Sequence, residues 1–194
     1  LDLIVLESCT SPHALVARSQ RQSPFLAELS TARVVRVDRR QFRVLEGIAP
    51  GRIDLGVGRA PGSDRLTAFA LNPHANAADE FPRQVQELQC WVAGVPLPED
   101  HPFRSIAAHP LGPTSPEIWI LGSSDYGARL AAHFGLPYAF AYFFSDGRGV
   151  DEALALYRQN YRPSARYPAP IATICVWALA ADTDAEARRL LQTR

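Results

Sequence analysis

Residues 117–144 read EIWILGSSDYGARLAAHFGLPYAFAYFF. The apolar run at 117–121 has the pattern of a buried strand, and 138–144 that of a second one. Between them Gly122-Ser123-Ser124-Asp125 forms a small polar turn, and residues 124–134 an amphipathic helix with Leu130 and Phe134 on one face. Ser123 or Ser124 is the N-cap, and Gly135 with Pro137 stops the helix. A strand, a helix and a strand this close together pair in parallel through a right-handed crossover.

The same unit recurs on both sides. GRIDLGVG (51–58) places Ile53, Leu55 and Val57 at period two, after a Pro50-Gly51 break. DEFPRQVQELQCWVAG (79–94) then carries Phe81, Val85, Leu88 and Val92 at helical spacing, with Gly94 past the end. Downstream, Asp151 opens a helix bearing Leu154, Tyr157 and Tyr161. The apolar run PIATICVWALA (170–180) follows, and Thr183 with Glu186 forms a capping box before Ala187, Leu190 and Leu191. Upstream, LDLIVL is read as a strand, 11–22 as a helix and 33–37 as a strand. Gln41, Val44, Leu45 and Ile48 mark a further helix, and 23–32 and 95–116 are loops. Alternating strands and helices imply an α/β fold on a parallel sheet, either a doubly wound sheet or a barrel. A closed eight-fold barrel takes about 200 residues or more, and the chain has 194.

Composition narrows the class. Twenty basic residues, all Arg, balance 20 acidic ones, which removes the electrostatic case for nucleic acid or an anionic membrane as partner. Cys9, Cys90 and Cys175 are too few and too widely spaced for a disulfide framework or metal cluster, so a reducing cytoplasm is expected. No apolar run approaches the roughly 20 residues that cross a bilayer. The five histidines lack the short spacings of zinc sites, so no metal is expected. The sequence contains no Met, so the chain is read as processed or as a fragment of a longer product.

Two turns carry candidate chemistry. LGSSDYG (121–127) sits where a parallel strand hands over to a helix, so its amide N–H groups and the helix dipole converge where a phosphate would fit. The bland reading is a plain serine cap. A serine-hydrolase elbow is disfavoured, because Tyr126 stands where its last glycine belongs. In LGVGRAPGSD (55–64) the glycines fall at 56, 58 and 62, with Pro61 interrupting, which does not fit the dinucleotide fingerprint. Arg59 there either meets an anion with its fork of donors or pairs with a carboxylate such as Asp64.

GRIDLGVGRAPGSD (51–64), the 117–144 stretch and RPSARYPAPIATICVWALAADTDAEARR (162–189) together resemble the bacterial luciferase-like monooxygenases, flavin-dependent enzymes on a TIM-type barrel. The likeness is best over 41–194, within a single domain spanning 1–194, and LDLIVLESCTSPHALVARS (1–19) resembles the family's first strand and helix. The resemblance implies reduced flavin mononucleotide (FMN) at the C-terminal ends of the strands. Arg59 matches the arginine on the flavin phosphate. Ser123 and Ser124, after Gly122, match the positions whose amides hold it, and Gly58, followed by Arg59 and Ala60, would lie close to the flavin ring. It further implies oxygenation of a small organic substrate such as an aldehyde with dioxygen, a homodimer, and a separate flavin reductase as possible partner. Phe140, Tyr142 and Phe144 either line the substrate pocket or face the surrounding helices. Two departures stand out. The family's histidine motif has no counterpart in 19–40, and its closing strand and helix have none after Arg194. The expectation is therefore a truncated or incomplete barrel, with a degenerate, non-catalytic flavin-binding protein as the alternative.

Overall fold

The computed structural model describes residues 2–7, 39–59, 79–176 and 179–192. The helix expected at 11–22, the strand at 33–37, the loop at 23–32, and Ala60, Asp64 and Trp177 lie outside the described residues.

One sheet carries five strands in chain order: β1 (Asp2–Glu7), β2 (Ile53–Gly58), β3 (Glu117–Gly122), β4 (Tyr138–Ala141) and β5 (Ala172–Cys175). From β2 to β5 they run parallel, with Leu55 opposite Ile118, Ile120 opposite Tyr138 and Tyr138 opposite Ala172. Helix α1 (Arg39–Ile48) precedes β2, and α2 (Phe81–Ala93) joins β2 to β3. α3 (Asp125–Phe134) joins β3 to β4, the short α4 (Tyr142–Ser145) and α5 (Val150–Asn160) join β4 to β5, and α6 (Asp184–Leu191) follows.

β1 departs from the all-parallel expectation, because it pairs antiparallel with β2, Leu3 opposite Val57. The 45 or so residues between the two strands allow a return in either direction. An antiparallel strand also pairs the open N–H and C=O groups along the edge of β2.

The pleat sends alternate residues to opposite faces. Leu55, Val57, Ile118, Ile120, Tyr138 and Phe140 share one face and pack into a single core with residues of α1, α2, α3 and α5. In α2 the predicted stripe is the buried one: Phe81, Val85, Leu88 and Val92 all lie in this core. Gly94 ends the helix in the left-handed conformation (φ 72°), where a side chain would be strained. Tyr157 of α5 lies in the same core, and its hydroxyl sits 2.9 Å from the Leu136 carbonyl while accepting the Ile171 N–H at 3.1 Å.

In α1 the buried face differs from the predicted one. Val44 and Ile48 are exposed, whereas Phe42, Arg43 and Glu46 are buried. The two charged residues are inside because they satisfy backbone groups. The Arg43 guanidinium donates to the carbonyls of Pro110 (2.8 Å), Val92 (3.2 Å) and Thr114 (2.8 Å). Glu46 Oε1 accepts the Gly51 N–H at 2.8 Å.

The strand predicted at 138–144 also ends early. After Ala141 the chain coils into α4, closed by the Gly147 N–H bonding back to the Tyr142 carbonyl at 3.2 Å, with Gly147 at φ 79°. The alternation of Phe140, Tyr142 and Phe144 is thereby lost. Phe140 packs on the helix-covered face of the sheet, while Tyr142 and Phe144 are exposed.

Candidate functional site

β2 and β3 finish together, Gly58 lying opposite Leu121. Arg59 and the Gly122-Ser123-Ser124 turn therefore leave the sheet side by side at its C-terminal rim, the side on which barrels and open α/β sheets bind ligands. Beyond the turn α3 begins at Asp125, with Ser124 as an extended N-cap (φ −149°, ψ 174°). The Ser124 hydroxyl makes no capping hydrogen bond. Thr183, in the same position before α6, accepts the Glu186 N–H at 3.2 Å, so half of the expected capping box forms there. Ser124 thus takes the expected N-cap position but, unlike Thr183, makes no capping bond with its side chain.

Arg59 reaches across to this helix start. Its guanidinium carbon lies 3.9 Å from the centroid of the Tyr126 ring, two residues past Ser124. This is cation–π stacking on the second residue of α3. Among the described residues no carboxylate pairs with Arg59, and Asp64, the alternative partner, lies outside them. The neighbouring Asp125 carboxylate instead faces Arg129 at 3.4 Å, and both are largely exposed.

Behind the turn, strand and helix approach closely. A Cβ placed on Gly122 would come within 3.3 Å of Gly127 Cα, and one on Gly127 within 3.2 Å of the Tyr138 ring. Tyr138, with no exposed surface, fills the space beneath and donates its hydroxyl to the Ser124 carbonyl at 3.1 Å. Burial, with the Asp125 charge adding to it, pushes the Tyr138 phenol far above its ordinary pKa, so the hydroxyl stays a donor. At Gly58 the nearest atoms to an added Cβ belong to Leu121, at 3.4 and 3.5 Å, an ordinary contact that does not by itself require glycine. His133, further along α3, is exposed and packs edge-on against Phe134, a surface residue as its position suggests.

The six candidate positions thus fall into three groups. Arg59 meets the helix that follows Gly122, Ser123 and Ser124; Gly58 stands one residue behind; Ala60 is outside the described residues. Sequence reasoning missed Tyr126, Gly127 and Tyr138. The signal for Gly127 was its spacing from Gly122, which marks a strand end against a helix start. The sequence offered no sign that Tyr126 would be the partner of Arg59.

The opposite rim is electrostatically different. Asp54 on β2 is buried beside Glu117, its register partner on β3. Burial first, then the charges of Glu117 and Glu46, push its carboxyl up to about 6, against a smaller lowering by Trp119 and Arg166. The Trp119 indole N–H is close enough to act on Asp54 yet completes no hydrogen bond of ordinary geometry.

The family model for luciferase-like monooxygenases matches residues 39–194. The chain belongs to that family. A luciferase-like monooxygenase of Escherichia coli (strain K12) is 46% identical over 152 residues, covering 77% of this chain and 43% of that protein. The N-acetyl-S-alkylcysteine monooxygenase of Bacillus subtilis (strain 168) is 35% identical over 122 residues, covering 62% of this chain and 35% of that protein. Among solved structures, apo-MsnO8 superposes with a TM-score of 0.67 at 33% identity, covering 80% of this chain and 45% of that one. The matched stretch spans less than half the length of these relatives. Its parallel strands and their helices are accordingly a portion of the family's TIM-type (β/α) barrel. Among the described residues no helix is long and apolar enough to cross a membrane.

Proposed function

We propose that this luciferase-like chain binds the phosphate of reduced FMN at the C-terminal rim of its sheet, as part of a monooxygenase acting on a small organic substrate with dioxygen. The observation that carries this reading is the meeting of Arg59 with the start of α3, whose N-cap serine leaves its hydroxyl uncommitted. The donor set fits a phosphate dianion: a guanidinium on one side, amide N–H groups at a helix N-terminus on the other, and two exposed serine hydroxyls between them. Arg59, Ser123 and Ser124 would hold the phosphate, Gly122 keeps the turn close to the helix, and Gly58 would lie close to the ring. Bound reduced FMN would supply the oxygen chemistry. The protein's own part is to fix the cofactor and shield the reaction from water.

The partners in this reading are dioxygen, an organic substrate, a flavin reductase and, as the family likeness suggests, a second copy of the chain. The Bacillus subtilis relative is named for an N-acetyl-S-alkylcysteine, so the substrates to compare are an aldehyde and an S-alkyl N-acetylcysteine. The test is oxygen consumption in the presence of enzymatically reduced FMN. The reading expects a rate that rises with one substrate class above the background of free reduced flavin. A second reading, a non-catalytic flavin-binding protein, is favoured by the absence of the family's histidine motif from residues 19–40. FMN binding with no substrate-dependent oxygen uptake would establish that one.

A further inference from the structure

We infer that Tyr126 is a positioning residue, whose ring holds the Arg59 guanidinium so that its edge faces a phosphate at the start of α3. This rests on the phosphate reading above and adds a residue to it. A guanidinium has two chemically different surfaces. Its flat face attracts an aromatic ring, while its N–H donors all lie in the plane and point outward from the edge. With the central carbon 3.9 Å from the ring centroid, Tyr126 occupies a face, and among the described residues no carboxylate takes the donor edge. A carboxylate partner would instead occupy that edge.

Tyr126 is itself held. It is half-buried, packs against the sheet-helix core and belongs to the first turn of α3. That turn is locked to β3 by the Gly122–Gly127 approach and to β4 by the Tyr138–Ser124 hydrogen bond. The ring is therefore fixed relative to the amide N–H groups at the helix start, and stacking transfers that fixity to Arg59, which on its own is an exposed, freely rotating side chain. Pre-ordering both halves of a cradle lowers the entropic cost of binding. Because Arg59 acts on the phosphate, the benefit should appear for a phosphorylated ligand and vanish for the same ring system without phosphate.

The experiment titrates FMN and riboflavin into the protein and its Tyr126→Phe, Tyr126→Leu and Arg59→Ala variants, with circular dichroism confirming the fold of each. Tyr126→Phe is expected to bind FMN like the wild type, since the ring face is retained. Tyr126→Leu is expected to weaken FMN binding about two- to five-fold while leaving riboflavin binding unchanged. Equal losses for FMN and riboflavin would overturn the inference, making Tyr126 a packing or ring-contact residue. So would an unchanged FMN affinity in Tyr126→Leu when Arg59→Ala loses affinity. If Arg59→Ala also binds FMN like the wild type, the phosphate reading itself falls and the inference goes with it. Should Tyr126→Leu fail to fold, the Arg59 Nε–H resonance decides. A ring-current shift of it that persists in Tyr126→Phe supports stacking in solution, and its absence from the wild type contradicts it.

Discussion

The buried Tyr138 hydroxyl on β4 donates to the carbonyl of Ser124, the residue from which α3 departs, at 3.1 Å. A side chain from the next strand thus holds the turn that the previous strand leads into. Replacing Tyr138 by Phe keeps the ring, and with it the packing against Gly122 and Gly127, while removing the bond. Loss of about 1 kcal/mol of stability is expected, together with weaker FMN binding and unchanged riboflavin binding. A thermal melt and two titrations check it, and a variant matching the wild type in both would deny the bond any role.

Gly127 tests how close strand and helix must be. Alanine is ordinarily favoured in a helix by up to about 1 kcal/mol over glycine. Here its Cβ would lie 3.2 Å from the Tyr138 ring and 3.3 Å from Gly122 Cα. Tyr138 cannot yield easily, being fully buried between Phe140 and Tyr157 and bonded at its tip. Overpacking of this kind costs about 1–3 kcal/mol. Gly127→Ala is therefore expected to be net destabilising in denaturant unfolding, unlike a surface glycine-to-alanine change in a helix.

Arg43 is expected to matter more than any charged residue on the surface. Its three carbonyl partners tie α1 to the end of α2 and to the loop before β3. Arg43→Ala leaves those carbonyls without their donor and should cost about 2–4 kcal/mol. Exposed Arg129, paired with Asp125, should cost under about 1 kcal/mol when replaced by Ala. Urea unfolding of the two variants gives the comparison.

The contrast between α1 and α2 explains how much of the fold the residues disclosed. α2 obeys hydrophobic periodicity because Phe81, Val85, Leu88 and Val92 carry its buried face, Glu87 being buried beside them, so its position and facing were legible. α1 exists where expected but turns a different face inward, because Arg43 and Glu46 answer to backbone carbonyls and an amide contributed by distant loops. Periodicity carries no information about such partners. The same limit applies at the rim. The parallel run from β2 to β5 and the turn at 122–125 followed from strand and helix alternation, and the family likeness supplied the barrel and singled out Arg59. Tyr126 and Tyr138 took on their parts only through contacts between elements 67 and 14 residues apart in sequence. The sense of β1 and the early end of β4 were set by long-range pairing and by the glycine turn at 147, respectively.

Asp54 gives a pH prediction. Its folded-state pKa, about 6, lies above the ordinary value of 3.8, so between these values the folded chain holds a proton that the unfolded chain has released. Stability from this group is therefore fully present below about pH 4 and is lost as pH rises through 6, by an amount on the order of 1–3 kcal/mol. Asp54→Asn, which mimics the neutral carboxyl, should flatten that part of the profile and be more stable than the wild type at pH 7. Melting temperatures measured from pH 4 to 7 decide it; parallel profiles for the two proteins would contradict it.

The central claim is that Arg59 and the start of α3 hold one phosphate between them. Calorimetric titration of FMN into the wild type and into Arg59→Ala addresses it most directly. A charge-assisted contact is worth about 1.5–3 kcal/mol, so the account predicts affinity at least about ten-fold weaker in the variant. Equal affinities for FMN in the two proteins would contradict it.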